Sequence, residues 1–304
     1  MKNIGNLFTH TESLMNHIYW FKQDFNIPPK KEHVGTAINW NDIISREHEF
    51  LKELVDTISE WVYNKTKAKQ IIDERLAYTN SMQNASSFLT TQAFSKFRSG
   101  HPQGQFGELL LFNFIQYFFE AVPLLRKQKI STSHEFERFG ADAIHYKNVD
   151  NADHFILGES KCYMSNYQFN SAFKESLDSI VKTFEKFDKE LDLYVYDDFL
   201  EPELESIAKQ LKNGTLKNVH LELVCLIAYN ENKNFVGNNE EEIKQSIKTV
   251  IQDRCANFNI NNYNSIDTKI VNRLNYIIFP IKQLDSLLEE FQKRVGIYEQ
   301  NRKI

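Results

Sequence analysis

With 304 residues, 41% of them apolar and 24 of them Phe, the chain can form one large domain or two modest ones around a sizeable core; only 10 Gly and 6 Pro argue against an all-β sandwich full of tight turns. A formal net charge of −5 counts against a stand-alone nucleic-acid binder, whose affinity rests on neutralising phosphates. Cys162, Cys225 and Cys255 are too dispersed for a disulfide framework or a C-x-x-C metal pair, and with no signal-type apolar run and no stretch of 18 apolar residues the expectation is a cytoplasmic protein without a membrane span.

In chain order, "FNIPPKKEHVGTAINWND" reads as loop or a short strand. Residues 43–62 show apolar side chains every three or four positions and predict one helix, extending towards "NKTKAKQIIDERL". Residues 78–105 are polar, with Phe88, Phe94 and Phe97 as docking points, and a boundary is expected near residue 100. This gives a mostly helical N-terminal region (1–100) followed by a second domain (101–304). "GELLLFNFIQYFFEAV" (107–122) is apolar almost all round, the mark of a helix buried on most sides. "LRKQKIS" suggests a short strand, and "FERFGADAIHYK" and "DHFILGESKCYM" flank the turn-rich "NVDNA" as a β-hairpin. An amphipathic helix follows from Phe169 to Phe187, with Ser165 or Asn166 as its N-cap, then the strongly acidic stretch 185–205. A strand (218–230), a helix ("EEEIKQSIKTVIQDRC"), a strand ("LNYIIFPI") and a last helix ("LDSLLEEFQKRV") complete the order. The fold class is α/β, a mixed β-sheet flanked by helices.

Within the hairpin, "LGESKCY" places Glu159 and Lys161 two residues apart on an apolar strand, hence on one face. Three other (D/E)-x-K triplets, beginning at Glu231, Glu242 and Asp267, fall in turns or on helix surfaces, where a solvated face accounts for them. A hairpin closed symmetrically between Asp150 and Asn151 opposes Asp142 to Glu159, and opposed side chains have Cβ atoms about 4.5–5.5 Å apart. A single Mg²⁺, with ligand distances of about 2.0–2.1 Å, can bridge such a pair. Two like charges so close repel unless a cation or a lysine compensates them. A structural ion pair needs one acid, so the second favours a metal site; a buried salt-bridge cluster is the plainer alternative. Glu108 sits near the start of the apolar helix. Compensation of the helix dipole explains it simply, and a third acid at the metal shell explains it functionally. His145 falls on the opposite strand face from Asp142, and Tyr163 shares the face of Lys161. Lys96, Arg98, His101, Arg126, Lys127, Lys129 and Arg138 are candidate phosphate contacts, though solvated surface is the better explanation of any one of them. No H-E-x-x-H, G-x-S-x-G or G-x-x-x-x-G-K-[ST] occurs, which counts against a zinc hydrolase, a serine nucleophile and a P-loop motor.

Glu108, "GAD" ending at Asp142, and "ESK" at 159–161 together resemble the PD-(D/E)xK nuclease superfamily, with Ala141 in place of the usual proline. More narrowly, "FGELLLFNFI", "RFGADAIHY" and "LGESKCYMS", within residues 105–185, resemble the HamA family, nuclease subunits of the bacterial Hachiman anti-phage system. The resemblance implies a restriction-endonuclease-like core and a Mg²⁺-dependent deoxyribonuclease, with Mn²⁺ able to substitute. Asp142 and Glu159 would be metal ligands, Glu108 would tune the metal shell, and Lys161 would be the catalytic lysine. It also implies a HamB-like ATP-dependent helicase partner that handles the DNA, in the bacterial cytoplasm. The alternatives left open are a non-catalytic subunit that keeps the fold and a related RNase.

Overall fold

A computed structural model describes residues 4–97, 102–125, 141–164, 169–194, 200 and 202–296. The strands are β1 (Ile18–Gln23), β2 (His33–Ile38), β3 (Trp40–Asn41), β4 (Ile44–Ser45), β5 (Val122–Leu125), β6 (Ala143–Val149), β7 (Ala152–Tyr163), β8 (Val219–Asn230) and β9 (Leu274–Ile281). The α-helices are α1 (Glu12–Met15), α2 (Glu47–Asp56), α3 (Ile58–Val62), α4 (Lys65–Thr79), α5 (Met82–Phe94), α6 (Pro102–Phe119), α7 (Phe169–Tyr194), α8 (Pro202–Lys212), α9 (Glu240–Ala256), α10 (Thr268–Val271) and α11 (Leu284–Arg294).

Seven strands form one mixed sheet in the order β1-β2-β9-β8-β7-β6-β5. β7, β8 and β9 run parallel at its centre. Helices cover both faces, so these strands read as near-continuous apolar runs. On one face Phe155, Leu157, Cys225 and Ile227 pack with Phe173, Leu177 and Ile180 of α7. On the other, Ile156, Val224 and Leu226 pack with Leu111 and Ile115 of α6 and Phe291 of α11. The architecture is the expected α/β core, with α2–α5 supplying a helical N-terminal region.

The β6–β7 hairpin closes through a two-residue loop. Asp150 and Asn151 both have positive φ (51° and 61°), the conformation of a twist-matched hairpin turn, which these side chains tolerate. Pairing runs from Val149↔Ala152 to Ala143↔Gly158 without a slip, the register expected from the sequence.

Several local expectations are corrected. Residues 43–62 are not one helix: Ile44–Ser45 form a strand, and α2 and α3 are separate helices meeting at Thr57. Tyr63 is extended, and Asn64 caps α4 by accepting from the Lys67 N–H, so the helix does not run on. The stretch read as loop or a short strand does contain a strand, β2, all six residues of which are buried; β1 pairs with it, and through β2 and β9 these two strands join the sheet. The polar segment after residue 78 contains α5, which buries Ala85, Leu89 and Ala93. Phe97 does dock, its ring 5.4 Å from Trp61 and 5.6 Å from Phe291. α6 begins at Pro102, so Glu108 lies in its second turn, where the dipole explanation loses force. The acidic stretch is helical at both ends, in α7 and α8. The proposed caps Ser165 and Asn166, the segment after Leu125, and the basic residues Arg98, His101, Arg126, Lys127, Lys129 and Arg138 lie outside the described residues. Among the described residues, no helix is long and apolar enough to cross a membrane.

α6 approaches β7 closely because Gly158 has no side chain. A Cβ there would lie 2.8 Å from Ile115 Cδ1 and 2.9 Å from Leu111 Cδ2. Gly158→Val is therefore expected to overpack this contact and cost about 1–3 kcal/mol, read as a lower urea midpoint with unchanged slope.

Candidate active site

β7 carries the site near its C-terminal end. Alternation along the strand sends Gly158 and Ser160 towards α6, and Glu159 towards α7. Glu159 is only 3% exposed, a deep position for a carboxylate. Its two oxygens accept hydrogen bonds from α7: Ser179 Oγ donates to Oε2 at 2.8 Å and Thr183 Oγ1 to Oε1 at 2.7 Å. Lys161, on the same face, brings Nζ to 4.0 Å from Glu159 Oε2 and stays partly exposed.

Asp142 stands just before β6, where the chain bends. Its N–H donates to the Gly158 carbonyl at 2.9 Å. Its Oδ2 accepts from both the Ser160 N–H (2.9 Å) and Ser160 Oγ (3.2 Å). The hairpin register thus carries one acid to the other. Burial, and next the charge of Asp142, push the Glu159 carboxyl up to about 7; the Thr183 hydroxyl, Lys161 and the Ser179 hydroxyl offset only part of that rise.

A structural ion pair in the same molecule provides the contrast. Glu231, which sequence reading placed on a solvated surface, is 1% exposed. Arg254 grips both its oxygens, at 2.5 Å and 3.1 Å. That is one acid with one bidentate cation. Glu159 instead faces a second acid, with its lysine at the limit of ion-pair distance.

Asp142, Glu159 and Lys161 are therefore brought together. Glu108 is half-buried on α6, directly after Gly107, at which a Cβ would lie 3.2 Å from Ser160 Oγ. The α6 backbone next to it therefore runs close to Ser160. Among the described residues, no three His, Cys, Asp or Glu side chains are grouped to hold a metal ion. His145 is fully buried, its ring 5.7 Å from Phe112, hence on the α6 face as its parity implied. Ser179 and Thr183 were not singled out from sequence: two hydroxyls in an amphipathic helix carry no mark of the strand they will meet.

The donor set suits a hard divalent cation. Both acids offer oxygen only, the ligand type that Mg²⁺ takes, commonly with one or two carboxylates and several waters. The buried Glu159 carries a repulsion from Asp142 that a cation would relieve. Ser176, one turn before Ser179, is fully buried, and its hydroxyl has no hydrogen-bond partner among the described residues.

A family model described as HamA matches residues 15–295. The chain belongs to the HamA family. The match spans nearly the whole chain, well beyond residues 105–185 on which the resemblance was first read. Membership makes this chain a component of Hachiman-type anti-phage defence. No curated protein matches it. In this HamA-family chain the sheet that holds Asp142 and Glu159, with β1 and β2 included, falls inside the matched span.

Because Glu159 takes up its proton more readily folded than unfolded, the metal-free protein loses stability as pH rises from the ordinary Glu range to about 7, and the loss is complete above it. The expected span is roughly 3 kcal/mol. Urea denaturation in EDTA should show Glu159→Gln abolishing that part of the pH dependence and being the more stable form at pH ~8.

Proposed function

We propose that this HamA-family chain is a Mg²⁺-dependent deoxyribonuclease, the effector of a defence complex whose HamB-like ATP-dependent helicase subunit handles the DNA. One observation carries the reading. Two carboxylates, Asp142 and Glu159, repel each other at the end of a buried strand, with the Lys161 ammonium 4.0 Å from the nearer oxygen. Asp142 and Glu159 would hold the ion, and Glu108 would orient water at its outer shell from the α6 side. When bound, a divalent cation lowers the pKa of water and polarises the scissile phosphate.

The chain's own groups account for the rest. Lys161, partly exposed, can reach solvent and substrate while its stem stays on the site face. Its ammonium orients the attacking water and stabilises charge that builds on the phosphate oxygens. Glu159, buried, concentrates negative charge where a cation would sit. The net charge of −5 fits a division of labour in which a partner grips the nucleic acid.

The test supplies labelled DNA and RNA side by side to the complex, with Mg²⁺, Mn²⁺ or EDTA. Cleavage of DNA, lost in EDTA, is expected. Asp142→Asn, Glu159→Gln and Lys161→Ala should each lower it by about 100-fold or more, and Glu108→Gln by about 10-fold. Cleavage of RNA alone would replace the substrate. Folded Glu159→Gln or Lys161→Ala variants that still protect against phage would establish the non-catalytic alternative.

A further inference from the structure

α7 is amphipathic, and the side it turns to the sheet is built from Phe173, Leu177, Ile180 and Phe187. Ser179 and Thr183 interrupt that apolar surface. Four residues apart, they lie on one side of the helix, at the height of Glu159. Thr183 is 6% exposed, so its hydroxyl cannot be excused as solvated surface. A mid-helix Ser or Thr commonly turns its hydroxyl back onto the carbonyl four residues earlier. These two donate outward instead, one to each oxygen of the same carboxylate, at 2.8 Å and 2.7 Å.

Each hydroxyl has one proton to give, and each carboxylate oxygen has two lone pairs. The pair therefore fixes the plane of the Glu159 carboxylate while leaving acceptor capacity on both oxygens. Apolar side chains at 179 and 183 would pack this face as well or better; what they would lack is a grip on the acid. Asp142 is gripped in a parallel way, by the Ser160 N–H and hydroxyl.

We infer that Ser179 and Thr183 are positioning residues of the candidate metal site: from α7 they hold the Glu159 carboxylate, in its charged form, in the orientation that binds a divalent cation together with Asp142. This rests on the proposed metal-dependent reading, and groups that orient ligands in this way are commonly worth about 10–100-fold in metal affinity. Neither residue touches substrate.

The experiment titrates Mn²⁺ into the full chain in the absence of nucleic acid, following free Mn²⁺ by electron paramagnetic resonance. The variants are Thr183→Val, which keeps the branched shape without the hydroxyl, Ser179→Ala, their combination, and Thr183→Ser as the conservative rescue. Circular dichroism and urea midpoints confirm folding. The double variant is expected to bind Mn²⁺ about 10–100-fold more weakly, each single variant to fall in between, and Thr183→Ser to return towards the wild type. If the double variant does not fold, the single variants carry the same comparison. Unchanged affinity in the folded variants overturns the inference, and so does tighter binding, which would make the hydroxyls competitors of the ion. Glu159→Gln separates the two levels. If it abolishes Mn²⁺ binding while the hydroxyl variants bind normally, only the positioning role fails. If it leaves Mn²⁺ binding intact, the metal-site reading beneath it fails.

Discussion

A carboxylate placed inside a strand that is covered on both faces has to be compensated, and most of the local design around β7 answers that demand. Burying an isolated charge costs many kcal/mol, so such a group is paired, hydrogen-bonded or kept protonated. Glu159 has two hydroxyl donors, a lysine at arm's length and, against all of these, a second acid. Glu231, also buried, has a close arginine partner. It is thus neutralised by that one arginine, whereas Glu159 has its lysine at 4.0 Å and a second acid beside it.

The backbone brings that situation about with few parts. A two-residue turn sets the register of β6 on β7, and the register carries Asp142 to the level of Glu159. Parallel pairing with β8 then sets Cys225 beside Glu159, which leaves the acid an apolar neighbour on that side. Gly107 and Gly158 let α6 lie close on the reverse face, and α7 closes the front with its hydroxyls. The site is thus gripped between two helices on a stiff sheet, the kind of support that keeps catalytic groups within small tolerances.

Much of this was legible in the residues. β8, β9, α9 and α11 announce themselves through long apolar runs or clean helical periodicity bounded by polar segments. The hairpin does so through "NVDNA", so Asp142, Glu159 and Lys161 could be placed together by counting. β2 could be read only as loop or a short strand because all six of its residues are buried: "HVGTAI" has no alternation to read and includes a His, a Gly and a Thr. The break between α2 and α3 was hidden because the apolar pattern continues across it. α5 was missed because its buried residues are mostly small alanines. Glu231 was misplaced because its partner Arg254 lies on α9, 23 residues away. Ser179 and Thr183 belong to the same class: their meaning comes from a strand about 20 residues earlier in the chain, and only the packing of α7 on β7 supplies it.

The parallel pairing of Val34 and Gly35 with Ile277 and Ile278 has a further consequence, for how the molecule is made. Strands β1 and β2 leave the ribosome early and must wait for β9, some 240 residues later, before their neighbour exists. At synthesis rates of about 5–20 residues per second that is a wait of roughly 12–50 s. Until then the edge of β2 that pairs with β9 has no strand beside it. Every residue of the acid–lysine cluster has been translated by Thr183, yet the sheet beneath it is finished only when the last strand docks. The acid–lysine cluster therefore acquires its complete scaffold at the close of synthesis and not during it.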